Sequence, residues 1–299
     1  MGCLIGGHLA KSGHRVVLVD VWQAHVDKIN RDGLTLVSGN GSEQIPVQAV
    51  TDSSQISDTM DLLIVFVKSY HTWTAINASE NLIGERTRVL TLQNGAGNAE
   101  TIAEFVPKSQ VLAGTTAHGA NIKGPGEVIH AGKGHSYLGR VDGKSADQTE
   151  KDIVDMLNAS RFETSYEANI MGLIWDKLLV NVGINPLTAL LEVKNGELLE
   201  ISEAEKSLEL LVSEGEQVAR SSGISLPHTD PVEYVKSIAQ KTKDNRSSML
   251  QDMSRGGKTE IDYINGAIVK QGGKVNCETK YNQLIVHLIK AKEKAVKDH

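Results

Sequence analysis

The feature that most limits the fold is a change of texture near residue 166. Before it, short apolar runs alternate with helical segments; after it, strand signals vanish. Residues 15–20 (RVVLVD), 62–67 (LLIVFV) and 89–92 are apolar runs of the length and type that parallel sheets bury on both faces. Polar helical stretches separate them, which predicts βαβ units and an open parallel sheet. Residues 4–11 read as a helix stopped by Gly13 in a left-handed conformation. From 111 to 140 the chain turns Gly-rich, and antiparallel strands finishing the sheet fit best. Helices are expected at 173–182, 204–221, 231–240, 247–253, 259–271 and 280–296. The prediction is an α/β domain over 1–166 and an all-α domain over 167–299.

Bulk properties narrow the function. A chain of 299 residues that is 40% hydrophobic can build two cores. A net charge of −6 argues against nucleic acid as a partner. No apolar run is long enough for a bilayer, and the start lacks the basic–apolar–small pattern of a secretion signal, so no membrane partner is expected. Two cysteines, Cys3 and Cys277, suit a reducing, cytoplasmic location better than a disulfide framework. The ten histidines show neither H-x-x-x-H nor H-E-x-x-H spacing, so no metal site is predicted. His118 and His130 read as structural, and neither cysteine has an obvious base beside it.

Gly2, Gly6 and Gly7 open the first helix, and Asp20 closes the strand that follows it. A dinucleotide-binding unit places its glycine loop at such a helix start, with an acidic residue about 20 positions on to bind the ribose. Helix-start amides and their partial positive charge would receive the pyrophosphate. The simpler alternative is that Gly6 and Gly7 only permit tight packing. Nothing in the sequence supplies a strand before this helix or the earlier glycines of a G-x-G-x-x-G loop. Two expectations follow and stay open: a start upstream of Met1, or weak cofactor binding.

Residues 174–188 (IWDKLLVNVGINPLT) carry Lys177, Asn181 and Asn185 at i, i+4 and i+8 in otherwise apolar surroundings. Each four-residue step turns about 40° on a 3.6-residue helix, so the three share a face. A lysine and two amides on a buried helix are costly without partners. They could form a polar substrate cleft, with a lysine of lowered pKa as general acid. They could instead be a solvated outer face, with Asn185 capping a helix that restarts at Pro186.

This segment, followed by 195–198 (NGEL), resembles the lysine helix of the ketopantoate reductase family. Residues 245–252 (NRSSMLQD) and 259–266 (TEIDYING) are similar to its second signature. Residues 92–97 (LQNGAG) and 124–139 match its central loop and late strands. The resemblance runs from Met1 to about Glu293. It implies a Rossmann-like cofactor domain, here with its first strand missing, and a helical domain of the 6-phosphogluconate dehydrogenase C-terminal type. It implies hydride transfer from NAD(P)H to the C2 ketone of ketopantoate, with Lys177 and Glu260 catalytic. Asn94, Asn181, Asn185, Asn195, Asn245 and Ser248 correspond to substrate contacts. Gly2, Asp20, Lys68, Asn94, Ala120 and Glu260 correspond to cofactor positions.

Family members that use NADP(H) generally carry a basic or neutral residue near Asp20, so the resemblance implies NADP(H) while Asp20 itself favours NAD(H). The alternative that Asp20 only caps the next helix stands beside this. An NAD-dependent D-2-hydroxyacid dehydrogenase acting on branched or aromatic 2-keto acids is therefore a second expectation. A non-catalytic nucleotide sensor is a third. Oligomeric state is open, a homodimer being one option.

Overall fold

The computed structural model describes residues 1–39 and 41–297, arranged in two compact units. The first is built from Met1–Gln93 and Asn98–Ile170; the second takes the short segment Asn94–Gly97 and the chain from Met171 onward.

The first unit opens with helix α1 (Gly2–Lys11), and Gly13 follows at φ +90°, the left-handed stop that its position predicts. Then come β1 (Val17–Val19), α2 (Gln23–Asp32), β2 (Leu34–Ser38), β3 (Gly41–Ile45) and β4 (Gln48–Val50). Next are β5 (Leu62–Val65), α3 (Thr72–Ala78), β6 (Arg88–Thr91), α4 (Asn98–Ile102), β7 (Val111–Thr116), β8 (Gly119–Gly124), β9 (Glu127–Gly132) and β10 (Ser136–Arg140). Helix α5 (Gln148–Ala159) and β11 (Thr164–Tyr166) complete it. Helix α1 seats tightly because its glycines leave room: a Cβ on Gly6 would fall 2.6 Å from Leu18, and one on Gly7 2.9 Å from Leu34. Leu4, Ile5, Leu9 and Leu18 thereby join one core with Leu90, Leu112, Leu138 and Phe162.

Strands β5, β6 and β7 pair in parallel, β10 joins β7 antiparallel, and β11 lies parallel beside β10. The expected late antiparallel strands are thus divided. β7 and β10 extend this sheet, whereas β8 and β9 form a separate sheet in the order β3-β2-β9-β8. The expectation of helical stretches between the first two apolar runs also needs correction, since β2, β3 and β4 follow α2 there. β2 alternates buried Leu34 and Leu36 with less buried neighbours, the period-2 signature of a strand, while β3 is polar and mostly exposed. β1 pairs only with β4, so β5 is a sheet edge among the described residues. Leu62, Leu63 and Ile64 are accordingly half-buried rather than enclosed.

The main segment of the second unit begins one residue into α6 (Ile170–Leu191), whose 22 residues run uninterrupted through Pro186 and well past the expected 173–182. It continues through α7 (Ser202–Ser221), α8 (Pro231–Lys241), α9 (Ser248–Ser254), α10 (Asn265–Lys274) and α11 (Lys280–Lys297). Where a helix was expected over 259–271, Glu260 precedes a single 3-10 turn, Ile261–Tyr263, and the helix proper starts at Asn265. Gly183 lets α6 approach its neighbours: a Cβ there would fall 2.8 Å from Val212 and 3.1 Å from both Leu208 and Val235. Trp175, Leu178, Leu179 and Val182 share one core with Leu208, Val212 and Ile268. No helix among the described residues is long and apolar enough to cross a membrane.

Two glycine substitutions should separate packing from backbone entropy. A Cβ on Gly114 would lie 2.1 Å from the Tyr137 carbonyl oxygen, so Gly114→Ala should cost about 1–3 kcal/mol in urea unfolding. Gly273 sits in α10 with nothing within 4 Å, so Gly273→Ala should gain about 0.5 kcal/mol.

Candidate active site

In the second unit, α6 presents the polar stripe. Lys177 and Asn181 are half-buried and Asn185 keeps 6% of its surface, so the stripe is not a solvated outer face. The helix continues past Asn185, which removes the alternative that it caps a restart. Desolvation pulls the Lys177 ammonium down to about 8, and the charge of Glu260 acts in the opposite direction. Glu260 is buried at the head of the 3-10 turn before α10. A lysine in this range is still mostly protonated at neutral pH and can release its proton readily.

The loop containing Asn94 docks on that same turn. Ala96 N–H donates to the Tyr263 carbonyl at 2.9 Å. Gly95 holds φ +82°, where a Cβ would lie 2.4 Å from that carbonyl oxygen. Asn94 is thereby fixed near Tyr263, three residues beyond Glu260. Ser248 is exposed at the start of α9, and its neighbour Ser247 caps the helix by accepting from Leu250 N–H. The Ser247 hydroxyl also meets the Thr188 hydroxyl at 2.7 Å, which ties α9 to α6 one turn beyond Asn185. Asn195 and Asn245 are brought together by the Asn195 N–H, which donates to the Asn245 carbonyl at 3.0 Å. Asn195 Nδ2 donates to Thr242, while its buried Oδ1 has no hydrogen-bond partner among the described residues.

In the first unit, α1 starts without a side-chain cap, so its leading amides are free of that competition. Asp20 lies close enough to this start to act electrostatically on Cys3. Its carboxylate accepts from Trp22 N–H at 2.9 Å, a local turn, while Trp22 rather than Asp20 is the N-cap of α2. Lys68 follows β5, two residues beyond Phe66, whose Cβ would lie 3.6 Å from a Cβ placed on Gly2. Ala120 lies on β8 opposite His130, whose ring packs against His8 far along α1.

Several polar groups escaped sequence reasoning because their partners are distant in the chain. His25 Nδ1 accepts from Gly126 N–H, which leaves Nε2 to reach Cys3 Sγ at 3.3 Å. Cys3 does therefore have an imidazole beside it, but burial raises its thiol pKa and gives no reactive thiolate. Beside Lys177, the buried Asp176 bonds His228 at 2.9 Å. Burial raises the Asp176 carboxyl pKa, while the His228 hydrogen bond works against that rise. Asn265 and Asn282, both fully buried, link α10, α11 and α6. Their spacing carried no motif.

His8, His118 and His130 gather around Phe162. His118 Nδ1 meets His130 Nε2 at 3.0 Å, yet His118 Nε2 is buried without a partner, so the structural reading holds only in part. Desolvation lowers His8 to about 4. Between the ordinary histidine value of 6.5 and about 4, the unfolded chain binds a proton that the folded chain refuses, and stability falls on acidification. The stability advantage of the natural protein over His8→Gln should therefore shrink from pH 7 to pH 4.5 in urea titrations. A constant difference contradicts the assignment.

A mixed α/β unit with an uncapped helix start beside an acidic strand end, followed by a helical unit holding a desolvated lysine beside a carboxylate, is the layout of a dinucleotide-dependent oxidoreductase. Residues 1–143 match the family model described as "Ketopantoate reductase PanE/ApbA", and residues 169–293 match the model of its C-terminal part. The chain belongs to the ketopantoate reductase family. It is 40% identical to the 2-dehydropantoate 2-reductase of Halobacterium salinarum, over 91% of this chain and 88% of that one. Among solved structures it is similar to a PanE/ApbA family ketopantoate reductase from Ralstonia eutropha JMP134, with TM-score 0.90 and 29% identity, covering 99% of this chain and 96% of that one. D-mandelate dehydrogenase, solved with NADH and anilino(oxo)acetate, is equally similar in fold at TM-score 0.90 and 32% identity, covering 98% and 95%.

Proposed function

We propose that this chain is a 2-dehydropantoate 2-reductase of the cytoplasm, reducing the C2 ketone of ketopantoate to the alcohol of pantoate. The observation that carries this is Lys177: a desolvated ammonium, electrostatically coupled to Glu260, on one helix face with two amides. Its two free cysteines suit a reducing compartment. A reduced nicotinamide, when bound, supplies the hydride to the ketone carbon. The uncapped amides at Gly2 and the start of α1 are suited to its pyrophosphate, and Asp20 to its adenosine ribose. Lys68, Ala120, Asn94 and Glu260 are assigned to the rest of the dinucleotide.

Lys177 donates the proton that completes the alcohol and stabilises the negative oxygen beforehand. Glu260 keeps the ammonium charged against desolvation. Asn181, Asn185, Asn195, Asn245 and Ser248 are assigned to the carboxylate and hydroxyl ends of the substrate. Lys177→Ala should lower kcat by about two orders of magnitude or more; near-normal turnover would sink the assignment. Because the acid form is required, kcat/KM should fall as pH rises through about 8. Glu260→Gln should move that alkaline limb to lower pH.

Asp20 and the sequence VWQAH after it offer no cation to a 2′-phosphate. Repulsion at 4 Å is about 1 kcal/mol per unit charge in bulk water and about 4 kcal/mol near a protein surface. We therefore expect NADH to be preferred over NADPH by about tenfold or more in kcat/KM, with Asp20→Ser narrowing the gap. Equal use of both cofactors contradicts this. Asp20 and the likeness to D-mandelate dehydrogenase solved with NADH favour one second reading, an NAD-dependent D-2-hydroxyacid dehydrogenase. Steady-state rates with ketopantoate and with 2-ketoisovalerate decide between them.

A further inference from the structure

Pro186 lies inside α6, where it has no N–H to give to the carbonyl of Val182, four residues earlier. Its ring also crowds that carbonyl, so the helix ladder lacks one rung between Val182 and Pro186, a joint in the turn that carries Asn185. The freed oxygen is not left alone. Asn265, the first residue of α10, donates Nδ2–H to it at 3.1 Å. The same amide nitrogen reaches Asn282 Oδ1 at 3.0 Å, and Asn282 Nδ2 in turn donates to the Leu211 carbonyl and to Glu214. Asn265 and Asn282 are both 0% exposed.

Asn265 Oδ1 is buried with no hydrogen-bond partner among the described residues. A buried amide with one unsatisfied end is retained at a cost. Turning it over would aim an oxygen at the Val182 carbonyl, so its orientation is dictated by the proline-freed acceptor. On the far side of the joint, Thr188 is held by Ser247 at 2.7 Å. Each half of α6 around Pro186 is thus tied to the start of a neighbouring helix.

We infer that Asn265 is a positioning residue for substrate binding, acting through the Val182 carbonyl to fix Asn185 relative to Lys177 and Asn181. This rests on the assignment of that stripe to the substrate. Lys177 lies more than one turn before the joint, so the proton donor is disturbed less than the spacing of the amides beyond it. Loss of the clamp therefore raises KM more than it lowers kcat.

The test is a double-variant cycle with Pro186→Ala, which returns a backbone N–H to Val182 and makes the clamp redundant. Asn265→Ala should raise the ketopantoate KM about tenfold while kcat falls less than about threefold, as expected for lost ground-state positioning. In the Pro186→Ala background the same change should alter KM less than about twofold. The same cycle read by thermal unfolding needs no activity: Asn265→Ala should lower Tm by about 4 °C or more alone and by about half as much beside Pro186→Ala, where only the lost Asn282 hydrogen bond still costs stability. Equal effects of Asn265→Ala on KM and Tm in both backgrounds overturn the clamp. Non-additive Tm values in a protein that turns over no 2-keto acid keep the clamp and overturn the substrate assignment instead.

Discussion

A lysine ammonium withdrawn from water is the group around which the helical unit is organised. A fall from the ordinary lysine value of 10.5 to about 8 corresponds to roughly 3 kcal/mol of preference against the charged form. That fall is what remains after the charge of Glu260, buried at the head of the 3-10 turn before α10, has offset part of the desolvation. The Gly95 loop then packs on the Tyr263 carbonyl of the same turn. The carboxylate that acts on this charge and the contact that seats the glycine loop thus lie on one irregular segment.

The rest of α6 obeys the same economy. Leu178, Leu179, Val182 and Ile184 are buried in the core, and Gly183 brings the α7 and α8 side chains into contact. Three polar groups on this helix are met from other segments: Asp176 has His228, Thr188 has Ser247, and the carbonyl freed by Pro186 has Asn265. In the α/β unit the controlling constraint is steric instead. Gly6 and Gly7 allow α1 to lie against Leu18 and Leu34, which sets its uncapped start beside Asp20.

Much of this was legible from the chain alone, and for a specific reason. Lys177, Asn181 and Asn185 repeat at helical spacing in an apolar run, and that pattern survives without any partner being known. Glycine at 13 and the apolar strands at 62 and 89 are likewise local signals. β2, β3 and β4 were missed because the polar, exposed β3 carries little strand signal, and the separation of β8 and β9 into their own sheet depends on pairing with β2. The buried amides Asn265 and Asn282 and the pairs Asp176–His228 and Cys3–His25 were invisible for the same reason: each depends on contacts between residues far apart in sequence. The edge position of β5 is a property of the whole sheet, which an LLIV run cannot disclose.

Direct titration of the Lys177 side chain tests the central claim most simply. With ¹³C-labelled lysine and the Lys177→Arg variant to assign the signal, the Cε resonance followed from pH 6 to 11 should titrate near 8. A midpoint near 10.5, the value of an ordinary solvated lysine, would contradict a desolvated acid at this position and with it the chemistry assigned to the helix.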